Sequence, residues 1–295
     1  MSDWLNAGLL VNIVDGVAIG GLLFLLAVGL TMIFGLVDML NLGHGALYMA
    51  GGYGAFLVLG SGPVSLLSFA LVAVLVLGVG ALAGLGLGVA VRPLRGRGHL
   101  DQALLTLGLG IVVAEVFMLL AGRGFQSLSV PQELGRSVRL VGESYPLYRL
   151  VVIAVSAVVA VLTYVVFERT RAGSLARATV DDPQMVAAMG VNVGRVRSAV
   201  VVAGAALAAF AGVLGAPLLN LRPGVDTEVL VLALIVVVIG GLGSIKGAVI
   251  GALLIGQVQT LGVSLFPGLA AYALFGVMVL VLLVRPGGLY GRAAA

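Results

Sequence analysis

Residues 35–56 read GLVDMLNLGHGALYMAGGYGAF. Asp38, Asn41 and His44 sit there among glycines, inside a region that is otherwise continuously apolar. A charged side chain at the centre of a membrane helix costs about 2.5–3.5 kcal/mol on insertion scales. The stretch therefore marks either a membrane edge or a place where a smooth helix would not serve.

Its surroundings set the fold class. Of 295 residues, 61% are hydrophobic and 9% charged, with a mean hydropathy of +1.22. That leaves too little polar surface to coat a soluble globule. Apolar blocks lie near 14–36, 44–60, 64–91, 101–121, 147–167, 198–219, 226–242, 246–262 and 268–284. Many reach the roughly 17–25 residues that a bilayer-spanning helix needs. The expectation is an all-α, polytopic transmembrane bundle of about 8–9 spans with broken or re-entrant helices, forming a single transmembrane domain over 1–295.

The opening MSDWLNAG carries acid and no Lys or Arg, so it lacks the positive region of a cleavable signal peptide and the first block is expected to stay. The absence of cysteine excludes disulfides and thiolate chemistry. His44 and His99 are the only histidines, which argues against a metal site. The net charge of +4 reads as membrane orientation rather than affinity for nucleic acid.

Orientation follows from the basic residues between the blocks. Placing 92–100, 168–197, 243–246 and the C-terminal tail in the cytoplasm collects Arg92, Arg95, Arg97, Arg169, Arg171, Arg177, Arg195, Arg197, Lys246, Arg285 and Arg292 there. Arg123, Arg136, Arg139, Arg149 and Arg222 remain outside. The C-terminus is thus expected inside. The N-terminus is outside if all nine blocks cross, or inside if one is re-entrant.

Much of the glycine lies within the blocks, as in GVGALAGLGLG at 78–88 and GAALAAFAGVLGAP at 204–217. Small residues let membrane helices approach closely, and Gly204, Ala208 and Gly212 share one helix face. A weak internal repeat accompanies them. His44-Gly45-Ala46 is followed by two apolar blocks and Val91-Arg92-Pro93, and Lys246-Gly247-Ala248 after GGLGS leads likewise to Val284-Arg285-Pro286. Both copies run in the same direction, as parallel repeats do in some transporters.

Chemistry has few places to reside. No GxxxxGK[ST] motif, Ser/His/Asp set or paired carboxylates at one depth occur. The chain reads as no enzyme. Movement of a solute then draws either on an ion gradient or on a separate ATPase. For the first, Glu115 is the leading carboxylate, although Arg123 about two turns away offers it a structural partner.

For the second, residues 168–197, ERTRAGSLARATVDDPQMVAAMGVNVGRVR, are informative. Asp182 suits an N-cap, Pro183 the first helical position and Gly190 the residue just past the end. They predict a short helix, PQMVAAM, with Met185, Ala188 and Met189 on one apolar face. A helix this short needs something packed on it. That is either its own bundle or a partner's groove, which adaptable methionines would fill.

This loop, continued through GAALAAFAGVLGAP, resembles the coupling region of permease subunits of bacterial ABC importers, specifically the shorter, LivH-like branched-chain amino acid (Liv-type) permeases. The resemblance implies coupling to the ATPase for Arg177, Asp181, Asp182, Pro183, Met185, Ala187, Ala188, Met189, Gly190 and Asn192. The opening stretch is similar to that family's first motif through Gly29, Leu30, Thr31, Gly35, Asn41, Gly43, His44 and Gly45. A GGxGSxxGAxxG motif appears as Gly240, Gly241, Gly243, Ser244, Gly247, Ala248 and Gly251, and a terminal RPxGLxG pattern as Arg285, Pro286, Gly288, Leu289 and Gly291. Asn41, Gly43, His44, Gly45, Gly241, Gly243, Ser244 and Gly247 are accordingly candidates for the pathway or the broken helices, with capping and lining both open for His44.

If the resemblance holds, the chain is a multi-pass bacterial inner-membrane permease that holds no cofactor itself. ATP and Mg would be bound by two cytoplasmic ATP-binding subunits. A second, LivM-like permease (or a second copy of this chain) and an extracytoplasmic substrate-binding protein would complete the assembly. Branched-chain amino acids lead as the solute, with urea or short-chain amides as alternatives. The rival class is a stand-alone ion-coupled transporter using Glu115 and His44.

Overall fold

The computed structural model describes residues 2–94, 96, 98–140 and 143–291; the side chains of 2–7, 140 and 271 are outside that description. The first helix, α1 (Ser2–Val37), starts earlier than the block at 14–36. Residues 2–13 contain no proline and a single glycine, so nothing interrupts the helical ladder. Then come α2 (His44–Leu59), α3 (Leu66–Val91), α4 (His99–Ala121), α5 (Leu147–Tyr164), α6 (Arg171–Asp181), α7 (Pro183–Ala188), α8 (Val193–Leu219), α9 (Val225–Gly240), α10 (Ile245–Leu265) and α11 (Ala270–Val284). A π-helical turn, Val165–Arg169, extends α5.

Among the described residues, six helices are long and apolar enough to cross a bilayer: α1 from Gly8, α3, α4, α5 with its extension, α8 and α10. α2, α9 and α11 have only 16, 16 and 15 residues. At 1.5 Å per residue such helices reach about 24 Å, short of a hydrocarbon core of about 30 Å. The blocks at 44–60, 226–242 and 268–284 are shortened by glycine-containing turns at their ends. The eight or nine spans expected therefore resolve into six full-length helices and three short ones.

α1 lies at the centre, against α5, α8, α9 and α10, and its residues 22–33 are buried throughout. α8 packs on α1, α2 and α3 through backbone-to-backbone contacts. A Cβ added at Gly212 would lie 1.9 Å from the Tyr48 carbonyl oxygen, and one at Gly51 would lie 1.9 Å from that of Ala209. Gly80 and Gly84 of α3 meet Ala209, Ala206 and Val202 in the same way. This close approach replaces the hydrophobic force that lipid removes. α3, α4 and α11 turn large apolar side chains outward, among them Leu67, Val74, Leu104, Ile111 and Leu283, as an integral membrane protein requires.

One departure from an all-α fold lies between α4 and α5. Strands β1 (Ser137–Leu140) and β2 (Glu143–Pro146) form an antiparallel hairpin, with Ser137 opposite Pro146. Each has four residues, too few for an alternation of apolar and polar residues to stand out in the sequence. The segment leading into the hairpin is tied down twice: Gln126 pairs with Leu221 through two 2.8 Å backbone hydrogen bonds, and the Gln132 amide donates to the Val64 carbonyl of the α2–α3 link at 2.9 Å.

These links gather at one end of the bundle. The end of α1, the α3–α4 link, α6, α7, the start of α8, the α9–α10 turn and the segment after α11 gather at the other. Of the eleven basic residues assigned to one side, Arg92, Arg169, Arg171, Arg177, Arg195, Arg197, Lys246 and Arg285 all lie at this second end. Arg95, Arg97 and Arg292 lie outside the described residues.

Candidate functional site

The first break, residues 38–43, is closed by side chains. Asp38 takes a left-handed backbone conformation (φ 57°) and its amide still donates to the Phe34 carbonyl at 3.0 Å, ending α1. Asn41 and His44 are both fully buried (0% exposed). The Asn41 side-chain oxygen accepts from the Gly43 amide at 3.1 Å. Thr106 of α4, also fully buried, accepts from the Leu42 amide at 3.0 Å and donates to the Ala103 carbonyl at 3.0 Å. His44 Nε2 donates to the Leu26 carbonyl of α1 at 3.0 Å, and its Nδ1 has no partner among the described residues. The broken backbone is thus satisfied inside protein, as irregular structure at membrane depth must be.

Glycine makes this closure possible. A Cβ on Gly45 would meet the Asp226 carbonyl oxygen at 2.0 Å, and one on Gly43 the Thr106 carbonyl oxygen at 2.5 Å. Thr106 was not singled out in the sequence, where a threonine in an apolar helix carries no signal of its partner.

The second break, residues 241–244, meets the first. A Cβ on Gly35 would fall 2.1 Å from Gly243 Cα. Gly241 and Gly243 both have positive φ, at 97° and 78°, and Ser244 caps α10 by accepting from the Gly247 amide at 3.0 Å. A Cβ on Gly247 would lie 2.0 Å from the Gly240 carbonyl oxygen. Lys246 places its ammonium 5.4 Å from the centre of the Tyr164 ring. The terminal RPGGLYG segment clasps the turn: the Leu289 amide donates to Ile239 at 2.8 Å and the Tyr290 amide to Gly240 at 3.0 Å.

The third region is the charged loop. Thr170 caps α6 by accepting from the Gly173 amide at 3.3 Å. Arg177 reaches back to the Phe167 carbonyl and stands 3.7 Å from Glu168, tying α6 to the π-helical turn. Asp181 ends α6. Asp182 Oδ1 accepts from the amides of Gln184 at 3.0 Å and Met185 at 2.9 Å, with Pro183 at the first helical position of α7. At the other end Gly190 has φ 82°, its amide donates to Ala187 at 3.0 Å, and the Val191 amide donates to Val186 at 3.3 Å. That is the paired bond pattern of a Schellman stop. Asn192 then caps α8 by accepting from the Arg195 amide at 3.0 Å.

The caps fix which face of α7 is free. Val186 is 2% exposed and anchors α7 to the bundle, whereas Met185 and Met189 are 60% and 62% exposed and Ala187 and Ala188 are also exposed. Val186 was absent from the sequence reading, because periodicity over six residues does not say which face turns inward.

Glu115 pairs with Arg123 at the end of α4, with both side chains substantially exposed. At the hairpin end a further pair, Asp15 of α1 with Arg149 of α5, is partly buried beside Tyr145. Burial first, and then the Asp15 carboxylate, push the Tyr145 phenol above its ordinary range. No group of three or more His, Cys, Asp or Glu side chains suited to a metal occurs among the described residues.

Residues 12–283 match the family model described as branched-chain amino acid transport system / permease component. The chain belongs to this permease family. The permease is 32% identical to the high-affinity branched-chain amino acid transport system permease protein BraD of Pseudomonas aeruginosa, over 95% of each chain. It is 31% identical to the corresponding LivH proteins of Salmonella typhimurium and Escherichia coli K12, over 94% of each chain. The match runs through both glycine breaks and α7.

Proposed function

We propose that the permease is the membrane subunit of an ATP-driven importer for branched-chain aliphatic amino acids in a bacterial inner membrane, and that α7 is the element on which its ATPase acts. The observation that carries this is a capped helix held by Val186 that turns Met185 and Met189 outward at the basic end of the bundle. An apolar pair exposed on a short, rigidly terminated helix suits insertion into a partner's groove. The solute follows the names of the relatives.

In this reading the basic end is cytoplasmic and carries the C-terminus. The chain acts as one transmembrane unit over 1–295 beside a second permease, either a LivM-like subunit or another copy. Two ATP-binding subunits hold ATP and Mg, and an extracytoplasmic binding protein delivers the amino acid. ATPase closure pushes α7, and the push passes through the Asn192 cap into α8. Since α8 contacts α1, α2 and α3 backbone to backbone, the motion travels as a rigid body and not by local yielding. In the two parallel repeats α2 corresponds to α10 and α3 to α11, with α2 and α10 each starting after a glycine break.

The test is Met185→Glu with Met189→Glu in the assembled importer. The expected result is loss of ATPase co-purification and of leucine uptake, with membrane insertion intact. Undiminished co-purification overturns the docking role.

A further inference from the structure

At the basic end, the end of α1, the end of α3, Gly96, the start of α4 and the first turns of α8 surround a cavity of about 270 Å³. This is just below the roughly 300–1,000 Å³ that holds drug-sized ligands, and it suits a small solute. Two opposite charges face it from different helices. Asp38 stands at the end of α1, and Arg197 comes from α8. The Arg197 Nε is buried and has no hydrogen-bond partner among the described residues. A guanidinium N–H left in that condition is costly unless an acceptor arrives.

Asp38 is poised in a complementary way. Its left-handed backbone is uncommon outside glycine and turns up at sites with a function. Its carboxylate lies 3.6 Å from His99 Nε2, beyond hydrogen-bond range, so a better donor can displace that contact. Met39, Val91 and Val201 are buried and give the cavity an apolar part, His99 and Gln102 add polar lining, and the Asp38 side chain is largely exposed at the rim.

We propose that this cavity binds the zwitterion of a small aliphatic amino acid. Arg197 donates to the carboxylate, Asp38 accepts from the ammonium, and the side chain rests on Met39, Val91 and Val201. The choice of an aliphatic side chain rests on the importer reading above, while the carboxylate answers the unpartnered Arg197 Nε and the ammonium answers Asp38. An occupant would bridge α1 to α8, the helix that follows α7, at the face where transported solute leaves.

The test is equilibrium binding of radiolabelled L-leucine to the full chain in phosphatidylcholine nanodiscs at pH 7. Saturable binding is expected, weakened about tenfold or more by Arg197→Gln and by Asp38→Asn, the loss that one charge-assisted hydrogen bond accounts for. On the unaltered chain, isocaproate, which lacks the ammonium, and isopentylamine, which lacks the carboxylate, should compete about tenfold less well than leucine. This arm does not depend on how the variants fold. No saturable binding, or equal competition by isocaproate, overturns the proposal. Displacement of leucine by phosphatidylethanolamine in the nanodisc also overturns it, and assigns the charge pair to a lipid headgroup. Leucine uptake by the assembled importer is measured separately. Uptake without leucine binding in the cavity sinks this inference alone, and binding without uptake sinks the solute assignment alone.

Discussion

The first glycine break and the α7 segment are both interruptions in an apolar chain, yet they resolve their polar groups in opposite directions. At residues 38–43 the freed backbone is closed inward by Asn41 and Thr106, while His44 bonds the Leu26 carbonyl of α1, and all three are fully buried. At residues 182–192 equally specific caps close the backbone and leave apolar side chains facing out. One interruption hides polarity so that helices can touch, and the other turns most of its apolar side chains outward and buries Val186 alone among those of α7. The lesson is that capping residues locate a break, whereas its role is set by what the break turns toward.

This contrast can be broken by experiment. The largest effect is expected from Gly212→Leu. Its side chain would enter the space of the Tyr48 carbonyl, where even a Cβ has no room. Overpacking costs typically 1–3 kcal/mol, and with backbone on the opposite side we expect about 3 kcal/mol or more. Thermal unfolding in detergent would show it, and an unchanged midpoint would mean that α2 and α8 do not approach this closely.

Next comes the Met185→Glu, Met189→Glu pair. It should reduce ATPase affinity by about 2 kcal/mol or more, roughly thirtyfold, with no change in unfolding midpoint. A drop in midpoint instead would mean that α7 is held by its own bundle on both faces.

His44→Ala tests the inward-facing break. Loss of the bond to Leu26 and of the ring's packing should cost about 1.5 kcal/mol of stability while co-purified ATPase stays at the level of the unaltered chain. If transport falls with stability unchanged, His44 lines the pathway and is not merely a lock. The smallest effect is expected from Asp182→Ala, which removes one N-cap worth about 1 kcal/mol. It should appear as faster hydrogen exchange at the amides of Gln184 and Met185, with little change elsewhere.

These regions also differ in how far the sequence reveals them. The limits of α7 were legible because Asp182, Pro183 and Gly190 act on their own backbone within a few residues. The glycine breaks were legible as breaks for the same reason. Their partners were not: the contact of Gly35 with Gly243 and the bond from Thr106 to Leu42 join residues far apart in the chain, and a glycine carries no mark of what it touches. The hairpin was too short to announce itself, and nothing local in the sequence joins Asp15 to Arg149. Of the nine apolar blocks, six form full-length helices and three form short ones among the described residues, a division that hydropathy does not register because it reads apolar length without where a helix stops.

The clasp made by Leu289 and Tyr290 on the α9–α10 turn has a consequence in time. These residues follow α11 and so leave the ribosome after both glycine breaks. The clasp on the turn that meets the first break is therefore made only once α11 has been synthesised. A chain cut short before Leu289 arrives in the membrane without that latch.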